Sequence, residues 1–171
     1  MDKNAELNRL ACMLVKVKAD YNEAKAIKMN LERELGRKWA IYQKALKDFN
    51  VKSDEEKELL REKLRLVKES DEMFKKMIRA KNQAKQARDR ESKMAFYDVA
   101  HKYAVEMHAL NDRVQEKKQK LIALREGKIK RCTEAREEHE TVRQSYLLAK
   151  ANLIATEACK KQIERKYEAL K

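Results

Sequence analysis

Apolar residues recur at alternating spacings of three and four from Leu7 to Phe49, the heptad pattern of a long helix that packs against others. Eleven of these 13 seam positions are apolar and the other two are lysines. The seam consists of Leu7, Leu10, Leu14, Val17, Tyr21, Ala24, Lys28, Leu31, Leu35, Lys38, Tyr42, Ala45 and Phe49. It predicts a helix over 3–50, with Asp2 favourable at its positive end.

The polar stretch 50–56 marks the clearest boundary in the chain. Ser53 is followed three residues later by Glu56, which is the capping-box signature of a helix N-terminus. A connection this short predicts that the next helix returns antiparallel to the first. Its apolar stripe is predicted at Leu60, Leu64, Val67, Phe74 and Ile78, with Asp71 as an interruption.

Alanines replace the larger apolar residues over 79–93. A break near 89–92 is the alternative here, but no glycine or proline requires one, so the pattern favours a continuous helix. Gly127 is the next candidate boundary, because the core spacing around it becomes three, four, four, three. A coiled coil that ran through this stutter would locally unwind. We predict a turn at Gly127, hence helices over 54–126 and 128–171, with a continuous stuttered helix as the alternative. The apolar stripe of the last segment is predicted to run from Cys132 to Leu170.

The composition agrees with a helical protein that has a thin core. The chain of 171 residues has no proline and two glycines, 42% of its residues are charged, and its mean hydropathy is -0.90. Strand-forming residues are sparse and hairpin turn signals are missing. We therefore predict an all-α protein, an extended antiparallel bundle or coiled coil of three long helices that forms a single elongated domain over 1–171.

The lack of a recognisable targeting signal and the spacing of the cysteines predict a cytoplasmic protein. The first residues contain no apolar segment typical of a secretory signal, and no run of 18 apolar residues occurs. Cys12, Cys132 and Cys159 lie far apart in sequence, which is typical of reduced thiols in an intracellular protein.

Motifs that carry chemistry are missing from the sequence. It has no glycine-rich phosphate loop, nucleophile elbow, H-E-x-x-H or C-x-x-C motif. His101 and His108 are seven residues apart, about 10 Å along a helix, which is too far for both to ligate one metal ion. We therefore predict no enzyme, no catalytic residues, no cofactor and no metal.

Charge is the feature that points to partners. The segments 75–93 and 113–131 each carry eight basic and two acidic residues, and together they hold nearly all of the formal net charge of +13. The predicted surface for an anionic partner consists of Lys75, Lys76, Arg79, Lys81, Lys85, Arg88, Arg113, Lys117, Lys118, Lys120, Lys128, Lys130 and Arg131. The alternative is that these residues are ordinary solvated helix faces, which lysine and arginine also favour.

Among anionic partners, a membrane surface or an acidic protein filament is favoured over nucleic acid. The basic segments lack interleaved aromatic platforms and do not precede an uninterrupted zipper. Trp39 and Tyr42 lie at or beside the first seam and are candidate interface residues, with the edge of the core as their alternative position.

These features predict a non-enzymatic structural protein that acts as a scaffold, spacer or adaptor in a larger intracellular assembly. Helix packing and the basic segments would supply its contacts with protein partners, and the unequal helix lengths predict a homo-oligomer or complex subunit. One alternative is a helical module that binds curved or anionic membrane surfaces. A second is a stalk component of a secretion or rotary apparatus, an analogy of shape alone.

Overall fold

A computed structural model describes residues 3–171, and the predicted role of Asp2 lies outside them. The chain forms three helices, α1 (Lys3–Asn50), α2 (Asp54–Gln86) and α3 (Arg90–Leu170), and residues 3–171 contain no strand. The predicted all-α helical bundle is confirmed. None of the three described helices combines the length and the apolar composition needed to cross a membrane.

One compact unit joins α1, as far as Lys47, to Arg131–Lys171 of α3. Of the 13 predicted seam positions of α1, all but Phe49 are buried or half-buried, so the periodicity identified the packed face correctly. The facing stripe of α3 runs from Cys132 to Leu170 in the spacing expected from the sequence. Contacts of Lys38 with Glu138 and of Lys28 with Tyr146 show that the two segments run antiparallel.

A second compact unit contains Asp48–Lys130, in which α2 packs antiparallel to the first part of α3. Ser70 donates a hydrogen bond of 2.7 Å to Asn111, and Glu62 forms an ion pair with Lys117. Met77, Ala80 and Ala100 form a buried cluster against which Tyr103 and Ala104 pack. Contacts thus group the chain into two compact units.

The turn predicted at Gly127 is wrong, because α3 continues through this residue. The chain turns instead between Gln86 and Arg90, where we had predicted a continuous helix. The Asp89 carboxylate accepts a hydrogen bond of 2.7 Å from the Ser92 amide, so Asp89 caps the first turn of α3. This cap needs neither glycine nor proline, and helices 54–126 and 128–171 are corrected to the observed bounds of α2 and α3.

The face of α2 that packs is also different from the predicted one. The covered stripe, here called the inner stripe, is Glu56, Leu59, Lys63, Leu66, Ser70, Met73, Met77, Ala80, Ala84 and Ala87, all buried or half-buried. It runs the whole length of α2, whereas the predicted stripe ends at Ile78 because lysines follow it. The predicted hairpin of the first two helices is replaced by packing of each against its own part of α3.

Candidate functional site

The predicted stripe of α2 is exposed except for the half-buried Leu60, and it is the candidate site. We call Leu60, Leu64, Val67, Asp71, Phe74 and Ile78 the outer stripe. Leu64 is 61% exposed and Phe74 is 49% exposed, while Val67 and Ile78 are 36% and 38% exposed. Their spacings of four and three place these side chains on one face of the helix. A face of this kind is typical of a helix that packs against two partners.

Basic side chains surround the outer stripe. Helical spacing places Arg61, Lys68 and Lys75 along one flank. The spacing of three and four continues beyond both ends of the stripe, to Lys57 before it and to Lys81 and Lys85 after it. Together with the groove residues described next, they form what we call the basic rim, which consists of Lys57, Arg61, Lys63, Lys68, Lys75, Lys81, Lys85, Lys118 and Arg125. All of them except the half-buried Lys63 are exposed.

A groove of about 280 Å³ lies at one end of the outer stripe, between α2 and α3. Leu60, Leu121 and Ile122 provide its apolar lining, and Lys52, Lys63, Lys118 and Arg125 provide basic groups, together with the carboxylate of Glu56. The outer stripe thus continues into a concavity whose edges are mostly positive.

Four of the lysines predicted to meet an anionic partner lie in ion pairs within the second unit, and three of them, Lys117, Lys120 and Lys128, belong to α3. Lys117 pairs with Glu62, and its hydrogen bond holds the pKa of the Glu62 carboxyl below its ordinary value. Lys120 pairs with Glu116 at 2.7 Å. The Nζ atom of Lys128 lies 2.5 Å from the Glu56 carboxylate and 2.8 Å from the Val51 carbonyl. Lys128 is nearly buried, so its observed contacts are those of a structural residue.

The Glu56 carboxylate joins that ion pair to the start of α2. It accepts a hydrogen bond of 2.8 Å from the Ser53 amide, while the Glu56 amide donates one to the Ser53 hydroxyl at 3.2 Å. This is the capping box predicted from the sequence, and it is confirmed. The hydrogen bond from Lys128, followed by that from the Ser53 amide, holds the pKa of the Glu56 carboxyl below its ordinary value.

The remaining predicted basic residues lie mainly near the end of α2. Residues 73–88 contain six basic residues and no acid. Lys75 pairs with Glu72 at 3.0 Å, and the Lys76 ammonium lies 5.8 Å from the centre of the Tyr103 ring. Arg113 lines a shallow groove that also contains Glu69 and Glu106. The others in the predicted set are exposed, namely Arg79, Lys81, Lys85, Arg88, Lys118, Lys130 and Arg131.

Trp39 and Tyr42 pack in the first unit against His139 of α3. The Trp39 and His139 rings are 5.2 Å apart between centroids, and the Tyr42 and His139 rings are stacked at 6.3 Å. Beside them, Lys38 and Glu138 form an ion pair of 2.7 Å. Trp39 is 48% exposed, so one part of its ring contributes to this internal cluster while the rest faces solvent.

Within residues 3–171, no group of three histidine, cysteine, aspartate or glutamate side chains is arranged to hold a metal ion. Comparison with protein-family models, with curated proteins and with solved structures finds no match to this chain. Function is therefore inferred from the chemistry of its own surfaces.

Sequence reasoning identified the residues of the outer stripe but placed them in the core. The signal that separates the two stripes of α2 was present in the sequence. The inner stripe keeps its spacing for ten positions, and its last three members are alanines of the stretch 79–93. The longer of two overlapping stripes is the one that a long partner helix covers.

Proposed function

We propose that this protein is a non-enzymatic structural adaptor of the cytoplasm, which joins a larger assembly through helix packing on the outer stripe of α2. The observation that carries the proposal is the exposure of Leu64, Val67, Phe74 and Ile78 in heptad register on a helix whose other face is packed. Exposed apolar residues scattered singly need no explanation, but a contiguous row marks an interaction surface. The basic segments add electrostatic attraction to partners.

The test is affinity capture from cells that express the protein, with two double variants compared with the wild type. Leu64→Glu with Phe74→Glu places charges in the outer stripe, and glutamate preserves helix propensity. The matched control is Leu148→Glu with Ile154→Glu, since these apolar residues of α3 are 73% and 60% exposed. We expect the first pair to remove captured proteins that the control pair retains. Identical captured sets from all three chains would overturn the adaptor role.

An anionic membrane surface is the second candidate partner. It is supported by the acid-free segment 73–88, which combines six basic residues with the exposed Phe74 and Ile78. Each basic group near an anionic membrane contributes up to about 1 kcal/mol, and the attraction falls as salt rises. Co-sedimentation with anionic liposomes at low and physiological salt tests this candidate, and absence of binding at low salt would exclude it.

A further inference from the structure

We propose that the outer stripe binds an acidic amphipathic helix of a partner protein, which presents apolar residues at spacings of three and four and one lysine or arginine opposite Asp71. This inference rests on the proposed adaptor function and specifies the chemistry of the partner. Three features of α2 and its surroundings support it, namely the spacing of the apolar residues, the charge of the rim and the position of Asp71.

The spacing of the outer stripe favours a helix as the occupant. Leu60, Leu64, Val67, Phe74 and Ile78 follow the same alternation of four and three that the covered seams of this protein follow. Such an alternation matches the knobs of a facing helix over about five turns. The groove beside Leu60 and Ile122 continues the surface toward α3. A third helix that packs on two neighbouring helices would occupy a groove of this kind.

The charge of the rim selects an acidic partner. Arg61, Lys68 and Lys75 flank the outer stripe, and Lys118 and Arg125 lie across the groove on α3. Acids that pair with this flank, Glu58 with Arg61 and Glu72 with Lys75, lie three residues earlier and farther around the helix from the stripe. An incoming helix therefore meets basic side chains at positions that correspond to the flanks of a coiled-coil interface, where opposite charge sets partner choice.

The same charge argues against a symmetric pair of α2 helices from two copies of this chain. In an antiparallel pair that used the outer stripe as its seam, Arg61, Lys68 and Lys75 of one copy would face the same three residues of the other. Like charges at such positions are unfavourable and act against that pairing. A partner of different sequence avoids this repulsion.

Asp71 distinguishes a partner helix from a lipid surface. It is an exposed carboxylate in the middle of the stripe, with Val67 and Phe74 one turn away on either side. Pressing this group into an anionic membrane places a negative charge against a negative surface and removes the carboxylate from water. A lysine or arginine on a partner helix would instead pair with it and define the register, as single polar residues do in coiled coils.

The probe is a synthetic peptide of about four heptads with leucine at both seam positions, glutamate at the flanking positions and one lysine at the seam position meant for Asp71. Its control carries lysine in place of the flanking glutamates. Fluorescence anisotropy at physiological salt measures binding of each labelled peptide to the full chain. We expect the acidic peptide to bind at least tenfold more tightly than the basic one, and equal or reversed affinities would overturn the proposal.

Variants of the chain then locate the contact. Leu64→Glu with Phe74→Glu should lower the affinity for the acidic peptide at least tenfold. Leu148→Glu with Ile154→Glu should leave that affinity within twofold of the wild-type value. Asp71→Lys should also weaken binding, and a peptide with aspartate in place of its seam lysine should restore it. Circular dichroism confirms that each variant keeps the helical content of the wild type. Loss of binding in the control pair, or no rescue by the exchanged charges, would contradict this assignment.

Two further measurements identify other occupants. Binding to vesicles that contain phosphatidylserine, strengthened by Asp71→Leu and without peptide binding, would assign the stripe to lipid and overturn the proposal. Self-association that is lost in Leu64→Glu with Phe74→Glu, again without peptide binding, would assign it to a second copy and likewise overturn it. If the acidic peptide does not bind while the capture of cellular proteins still depends on Leu64 and Phe74, the adaptor role stands and only the acidic partner is rejected.

Discussion

At the scale of single residues, Lys128 and Glu56 form the most enclosed ion pair among the described residues, with side chains 10% and 7% exposed. The pair is stabilised by further contacts, because the Ser53 amide donates a hydrogen bond to the Glu56 carboxylate and the Val51 carbonyl accepts one from the Lys128 ammonium. A buried pair adds little net stability relative to apolar residues, but removal of one partner leaves a charge without compensation. These four residues therefore connect the start of α2 to α3.

Lys128→Met should lower the free energy of unfolding by about 3 kcal/mol, at the lower end of the range for breaking a buried ion pair. Urea denaturation followed by circular dichroism measures this loss. Lys120→Met is the matched control, since Lys120 forms an exposed pair with Glu116 and its loss should leave the urea midpoint almost unchanged. Equal midpoints for the two variants would show that Lys128 is not structural.

The stability that Glu56 provides should depend on pH. Its pKa in the folded chain lies below the ordinary value of 4.5, so the folded state favours the charged form. This contribution is complete above about pH 4.5 and is lost as the pH falls through the lower folded pKa. The difference in unfolding free energy between wild type and Lys128→Met should therefore narrow from neutral pH to about pH 3. A difference that stays constant would argue against a charged Glu56.

At the scale of secondary-structure elements, both glycines of the chain lie inside helices. Gly36 belongs to α1 and Gly127 to α3, and neither has a positive φ. A Cβ atom added at either position would meet no atom within 4 Å apart from the helix's own nearby backbone. These helices thus tolerate glycine at a local cost, because the seams on either side of each glycine remain covered.

Gly127→Ala should raise the free energy of unfolding by about 1 kcal/mol, since alanine has the higher helix propensity and space for its methyl group is available. Thermal melts followed by circular dichroism measure the change, and Gly36→Ala serves as a control of the same kind in α1. A destabilised Gly127→Ala would instead indicate a glycine-specific turn at this position, as the sequence had suggested.

At the scale of the whole molecule, α3 supplies the packing partner of both other helices. Its first part packs against α2, and residues from Arg131 onward pack against α1. The arrangement leaves the inner stripe of α2 covered and its outer stripe exposed from Leu64 onward. A helix with one satisfied face and one free apolar face is suited to joining a further helix, which is the basis of the adaptor proposal.

Zero-length cross-linking with a carbodiimide should identify these packing partners without any mutation. The reagent joins amines to carboxylates in direct contact, so we expect linked peptides that contain Lys38 with Glu138 and Lys117 with Glu62. Mass spectrometry of the monomer band identifies them after proteolysis. Links from α1 to α2 in place of these pairs would support the hairpin of the first two helices and contradict the observed packing.

Local signals in the sequence determined much of the fold. The heptad seam of α1, the stripe from Cys132 to Leu170 and the capping box at Ser53 were read correctly, since each depends on residues within a few turns of one helix. The two basic segments were also visible in the sequence as runs of lysine and arginine, and their role as a surface for an anionic partner stays a prediction. The apolar residues of the candidate site were also visible in the sequence, though their position on the outside was not.

Tertiary structure decided what depended on distant partners. Both stripes of α2 satisfy the heptad rule, and the inner one is covered because α3 matches its full length and accommodates its alanines. The break before Arg90 and the continuity through Gly127 differ from the sequence-based prediction for a similar reason. Each local preference amounts to about 1 kcal/mol, and packing over many turns outweighs it. Periodicity thus determined the helices, while the choice of covered face, turn and partner belonged to contacts between segments far apart in the chain.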